Sequence, residues 1–177
     1  ELVLDRPGLD LLDAIAAKAE GSLDAAIFFG SRSSGVATNS ASAYDLMLVC
    51  DRPVAFYRAM SRSGFLYRSP ALLGLLDGFL PPTQIRLVHG TGLVKASVLS
   101  LAALERGTSA ARRDQFVAGR LFQDVHVVWA KNPESARRVG NAIESARRVT
   151  LDWVAPDLPD RFDPPDYVRQ LLRTSFR

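Results

Sequence analysis

Ile27-Phe28-Phe29-Gly30-Ser31-Arg32-Ser33-Ser34-Gly35 and, after a short polar stretch, Ser42-Ala43-Tyr44-Asp45-Leu46-Met47-Leu48-Val49 decide how this chain folds. Ala25 to Phe29 is an apolar run of strand length that ends on a glycine. From Ser31 to Ala43 nearly every residue is Ser, Gly, Ala, Thr or Asn, which is loop chemistry. Tyr44 to Cys50 is a second apolar run, interrupted by Asp45. The pattern reads as strand, Gly-Ser turn, polar loop, and strand bearing an acid. A Gly-Ser turn lets backbone N–H groups and a hydroxyl approach a polyphosphate closely. A carboxylate on the neighbouring strand suits Mg²⁺, which neutralises phosphate charge and lines up an attacking oxygen. The competing reading of Asp45 is structural, because an acid inside Leu-Met-Leu-Val needs some partner and loop amides serve as well as a metal.

Outward from this stretch, the apolar periodicity predicts a small α/β (α+β) fold. Leu11, Leu12, Ile15, Ala16 and Ala19 recur at helical spacing, so Pro7 to Glu20 reads as a helix stopped by Gly21. Asp51-Arg52-Pro53 reads as a helix start, with the acid as cap, and the helix continues to about Met60. Ser69-Pro70 opens another helix over Ala71 to Leu80. Gln84 to His89 and Leu93 to Leu99 are strand-like runs around Gly90-Thr91-Gly92, a hairpin signal. Leu93, Lys95, Ser97 and Leu99 share one strand face by the period of two. Ser100 caps a helix to Glu105, and Asp114 to Leu121 and Pro133 to Val149 read as two more. Periodicity leaves Val125 to Trp129 open between strand and buried helix. Ala155 to Asp166, rich in Pro and Asp, reads as an extended surface segment. The expected organisation is a sheet-bearing domain over 1–100, followed by a helical part over 101–177.

With 177 residues, 47% of them hydrophobic and 23% charged, the composition is that of a globular domain and excludes general disorder. No stretch approaches the roughly 18 uninterrupted apolar residues of a membrane-spanning helix. Glu1 to Asp5 carries no basic region ahead of an apolar one, so export is not expected. The single cysteine, Cys50, can form neither an internal disulfide nor a zinc cluster, which fits a reducing compartment. It reads as buried and inert, and His89 and His126 read as structural. A net charge of +3 is too small to argue nucleic-acid binding, and no aromatic-basic platform is present. Within the basic set, however, three lysines stand against nineteen arginines. Arginine suits phosphate and carboxylate partners, although a GC-rich genome produces the same bias.

The strand, Gly-Ser turn and acid strand resemble the signature of the polymerase-β nucleotidyltransferase superfamily. More narrowly, the chain resembles the mitochondrial-type phosphatidate cytidylyltransferases, the translocator assembly and maintenance family. The likeness rests on blocks in the family's order: Phe29-Gly30-Ser31; Asp45-Leu46-Met47-Leu48-Val49-Cys50-Asp51-Arg52-Pro53-Val54-Ala55; Val94-Lys95-Ala96-Ser97-Val98; and Phe116-Val117-Ala118-Gly119-Arg120-Leu121. The ending, Tyr167 to Phe176, is similar to the family's C-terminal segment. The resemblance implies a nucleotidyltransferase-like small mixed sheet flanked by helices. It also implies transfer of a cytidylyl group from CTP to phosphatidic acid, with Mg²⁺ as cofactor. Asp45 would hold the metal, Gly30 and Ser31 would cradle the triphosphate, and Arg32, Lys95 and Arg120 would offset its charge. The implied location is cytoplasmic, peripheral at the inner face of the membrane, and a homo-oligomer is compatible with it.

The chain departs from the superfamily's Asp-x-Asp. Ala43 takes the first place in one register and Met47 the second place in the other, and no carboxylate lies between Gln84 and Leu99. A single carboxylate holds Mg²⁺ only with substrate phosphates completing the shell. The family's aromatic-His-Asn stretch appears as Phe56-Tyr57-Arg58, and Ala96-Ser97 stands where Tyr-Gly is expected. Two alternatives follow: a catalytically degenerate nucleotide- or protein-binding module on the same scaffold, or a nucleotidyltransferase for another acceptor. At the C-terminus Tyr167, Val168, Leu171, Leu172 and Phe176 form one helical stripe, with Arg169, Arg173 and Arg177 on another. That pattern suits either an interfacial helix on anionic lipid or a last helix docked on the core.

Overall fold

The structure is a computed structural model that describes residues 4–30, 32, 43–79, 82–90, 92–112 and 115–174. Its centre is a five-stranded mixed sheet of β1 (Leu23–Phe29), β2 (Tyr44–Cys50), β3 (Thr83–His89), β4 (Gly92–Ser100) and β5 (His126–Ala130), in the order β3-β4-β2-β1-β5. Central β2 runs antiparallel to β1 and parallel to β4, while β3 and β5 pair antiparallel on the two edges. Helices α1 (Arg6–Lys18), α2 (Pro53–Arg62) and α3 (Pro70–Phe79) cover one face of the sheet. Helices α4 (Leu101–Gly107), α5 (Phe116–Leu121) and α6 (Pro133–Val154) cover the other. A 3₁₀ turn at Ala155–Asp157 and a last helix, α7 (Pro164–Thr174), follow.

Strands β1 and β2 read as unbroken apolar runs because both of their faces are covered. Phe28, Leu46 and Leu48 point into the α1–α3 core with Leu12, Ile15, Phe56 and Met60. Ile27, Met47 and Val49 point the other way, onto Leu104, Leu121, Val139 and Ala146. Each such fully buried side chain contributes roughly 1.5–3 kcal/mol over an exposed one. Edge strand β3 instead alternates, with Ile85 and Leu87 buried and Gln84, Arg86 and Val88 exposed, so the α4–α6 layer stops short of it.

The predicted elements are present with two corrections and one open reading resolved. Asp51 does not cap α2; Arg52 occupies the cap position without a side-chain bond, and Asp51 sits 3.5 Å from the Arg52 guanidinium. The ambiguous run after Val125 is strand β5. The segment after residue 100, expected as helical, therefore also adds an edge strand to the sheet, paired with β1. Its helices pack on one face of β1 and β2. Finally, the stretch expected to be extended to Asp166 folds earlier, into the 3₁₀ turn and the first turn of α7. Tyr167 of α7 lies edge-on against Phe122, with ring centroids 6.2 Å apart. Among the described residues no helix is long and apolar enough to cross a membrane.

Candidate functional site

Asp45 opens the α4–α6 face of the sheet. In the ladders its partners are Phe29 of β1 on one side and Lys95 of β4 on the other. Because strand neighbours in register share a face, the Asp45 carboxylate and the Lys95 stem stand side by side at the open end of the sheet. Gly30 follows Phe29 directly and adopts φ +88°, a left-handed conformation disfavoured for residues with a Cβ. A Cβ on Gly30 would lie 2.6 Å from Asp45 Oδ2, so the glycine is required by contact as well as by backbone. Arg120, near the end of α5, brings its guanidinium 5.9 Å from the centroid of Phe29 and 5.7 Å from that of Phe116.

The electrostatics follow from this placement. Half-burial pushes the Asp45 carboxyl above the usual carboxylate range, and the positive charges of Lys95 and then Arg120 pull part of the way back. Lys95 is exposed, because β4 here lies beyond the helical cover. Its antiparallel partner on β3 is Arg86, also exposed. Two like charges directly opposite on one face repel one another unless an anion lies over them. One pair further in, Gln84 Nε2 donates to Ser97 Oγ at 2.7 Å. The result is a shelf with one carboxylate and three cationic side chains, a charge balance that attracts phosphate.

Arg86 was not among the predicted residues. Its signal was available: a hairpin centred on Gly90 and Thr91 puts residue 86 opposite residue 95.

Of the predicted residues, Gly30, Asp45, Lys95 and Arg120 are brought together. Ser31 lies outside the described residues. Arg32 is placed elsewhere: its guanidinium bonds Asp5 at 2.9 Å and lies 4.1 Å from the centroid of Tyr44, whose ring belongs to the α1–α3 core. Asp5 also accepts from Tyr44 Oη at 2.6 Å and from the Gly8 N–H at 3.0 Å, capping α1. Burial of the Asp5 carboxyl is outweighed by its bonds from Tyr44, Gly8 and Arg32, which hold it below the usual range. Burial, with the bond to Asp5, pushes the Tyr44 phenol up to about 12.

Fit to Mg²⁺ is decided by the donor set. Met47, at one of the candidate second-acid positions, is fully buried under the α4–α6 layer, and the β4 position beside Asp45 carries a cation. Among the described residues no group of three or more His, Cys, Asp or Glu side chains is placed to hold a metal ion. The site therefore fits Mg²⁺ in one mode, with a single protein carboxylate and the remaining ligands from phosphate oxygens and water.

The remaining candidates have structural surroundings. His89 stacks on Phe65 with centroids 4.6 Å apart, and His126 lies 3.4 Å from an Asp124 oxygen. Cys50 is fully buried, which pushes its thiol well above the ordinary range. No protein-family model matches the chain, and comparison with curated proteins finds no match.

Proposed function

We propose that this protein is a CTP:phosphatidate cytidylyltransferase-like nucleotidyltransferase. The observation that supports it is the convergence of Asp45, Lys95 and Arg120 beside the positive-φ Gly30, at the open end of a sheet whose blocks resemble that family. In the reaction a phosphate oxygen of phosphatidic acid bonds to the α-phosphorus of CTP. The bond from that phosphorus to its β-bridging oxygen breaks, pyrophosphate leaves with the electron pair, and CDP-diacylglycerol forms. Such a transfer asks the protein mainly for positioning and charge stabilisation. Gly30 keeps the turn free of a side chain, so that the Asp45 carboxylate can stand against it. Lys95 and Arg120 offset charge on the phosphates, and Arg86, across from Lys95, extends the cationic surface toward the acceptor. Mg²⁺, when bound, supplies charge neutralisation at the triphosphate, with Asp45 as its protein ligand. A lipid product makes peripheral association at the inner face of the membrane the working location.

The test uses pure protein, radiolabelled CTP, Mg²⁺ and phosphatidate vesicles. Label entering the lipid phase with the wild type and not with Asp45→Ala supports the reading; no label with either removes it.

A second reading has its own support. Lys95 beside Asp45 and Met47 in the core are what a nucleotide-binding module that has lost catalysis would carry. Calorimetry separates the two: CTP binding that gains nothing from Mg²⁺ favours the module.

A further inference from the structure

We propose that the outer face of α3 docks the protein on an anionic membrane surface. Leu72, Leu75, Leu76 and Phe79 are 53%, 59%, 39% and 77% exposed, and Leu73 is the buried residue of the helix. Their spacing puts them on a single stripe. Tyr67, just ahead of the helix, is 85% exposed. The one charged residue of α3, Asp77, is half-buried and turned toward Thr83, whose Oγ1 lies 3.4 Å from Asp77 Oδ1. The outward stripe is thus apolar and uncharged, which a water-facing helix of a monomer does not need.

Two observations choose the occupant. Beside α3 the sequence carries Arg58 and Arg68 against a single acid, Asp77. Arg58 stands on α2, which packs on α3, and Arg68 precedes α3. Both are exposed and make no ion pair among the described residues. An uncharged apolar stripe set among arginines complements anionic headgroups over acyl chains. Size argues against a second copy as occupant. Ten residues of helix span about 15 Å, so the stripe covers a few hundred Å² at most, against roughly 800 Å² per partner in a standard interface. Inserting leucines into a bilayer surface has no such threshold. The inference rests on the functional reading above only in making a lipid surface relevant.

The experiment is vesicle co-sedimentation of the full chain, without nucleotide, on phosphatidylcholine vesicles with and without phosphatidylglycerol. The wild type is expected on the anionic vesicles, with binding that weakens as salt rises. Leu75→Glu should weaken it about tenfold and Leu75→Glu with Phe79→Glu further, while the circular dichroism and CTP affinity stay as in the wild type. Because a glutamate variant can fail for other reasons, Leu75→Trp gives an independent readout: its emission should shift to the blue on anionic vesicles. Equal binding by the glutamate variants, no binding by the wild type, or no blue shift would overturn the proposal. So would a wild-type dimer in light scattering that Leu75→Glu converts to monomer. Asp45→Ala should sediment with vesicles as the wild type does. A protein that docks through α3 yet transfers no cytidylyl group leaves this inference standing while the catalytic reading fails.

Discussion

Asp45 occupies the space into which a side chain on residue 30 would project: its Oδ2 lies 2.6 Å from the position of a Cβ there. The turn and the carboxylate are therefore one unit, although the residues are separated by the whole polar loop. Gly30→Ala is expected to cost about 1–3 kcal/mol, from the positive φ and the contact together. Gly21 supplies the control, since its φ is +75° but nothing lies within 4 Å of its Cβ position. Denaturant unfolding of both variants should show the larger loss at Gly30. The difference should shrink when Gly30→Ala is made in an Asp45→Ala background; an unchanged difference would mean that the contact carries no energy.

Asp45→Asn separates function from stability. Burial holds the carboxyl above its unfolded value, so between those two values the folded protein binds a proton that the unfolded chain has released. Stability on this account falls as pH rises through that interval. The amide removes the liability, so Asp45→Asn should be more stable than the wild type at neutral pH, with the advantage vanishing in acid. Cytidylyl transfer should fall by about a hundredfold or more. In the wild type, the acid limb of the rate profile should lie above the ordinary carboxylate range. A variant that loses both stability and activity at neutral pH would mark Asp45 as a structural carboxylate.

Strand placement and facing were legible because periodicity carries them. The apolar runs of β1 and β2 announce strands covered on both faces, and Lys95, Ser97 and Leu99 do share a face as alternation requires. What alternation cannot state is where the covering layer ends. Lys95 sits in an otherwise apolar strand and is exposed, because α4–α6 reach Leu99 but not the outer part of β4. The resemblance would give Arg32 to the triphosphate, whereas Asp5, which bonds it, lies 27 residues earlier and enters through a tertiary contact. The run at β5 was undecided for the same reason: five residues pair as an edge strand only once β1 offers an edge.

That tertiary contact makes its own prediction. Asp5 joins the start of α1, the Tyr44 ring and Arg32 by way of a single carboxylate. Asp5→Ala removes an N-cap and leaves the Tyr44 hydroxyl without this acceptor, a loss of about 1–2 kcal/mol in unfolding free energy. The Asp5 carboxyl lies below its usual range, so its contribution is present at neutral pH and is lost as pH falls through the depressed value. Wild type and variant stabilities should therefore converge in acid. Tyr44→Phe should reproduce part of the loss, and Arg32→Ala should lower stability more than it lowers CTP affinity. An Arg32→Ala variant of full stability that no longer binds CTP would assign Arg32 to the nucleotide instead.

Arg86 and Lys95 make the sharpest separation of binding from folding. They face each other across β3 and β4, both exposed, with no ion pair to either among the described residues. Like charges so placed are mildly unfavourable in the free protein and become favourable when a phosphate bridges them. Arg86→Ala should accordingly weaken CTP binding about tenfold, and the double variant with Lys95→Ala more, each reducing the salt dependence of the affinity. The unfolding midpoint of Arg86→Ala should stay at or slightly above the wild-type value, because a repulsion has been relieved, whereas the double variant also gives up the Lys95 charge that offsets Asp45. Calorimetric titration beside denaturant unfolding reads both quantities. If affinity is unchanged while stability falls, the pair is part of the scaffold and the phosphate shelf is misassigned.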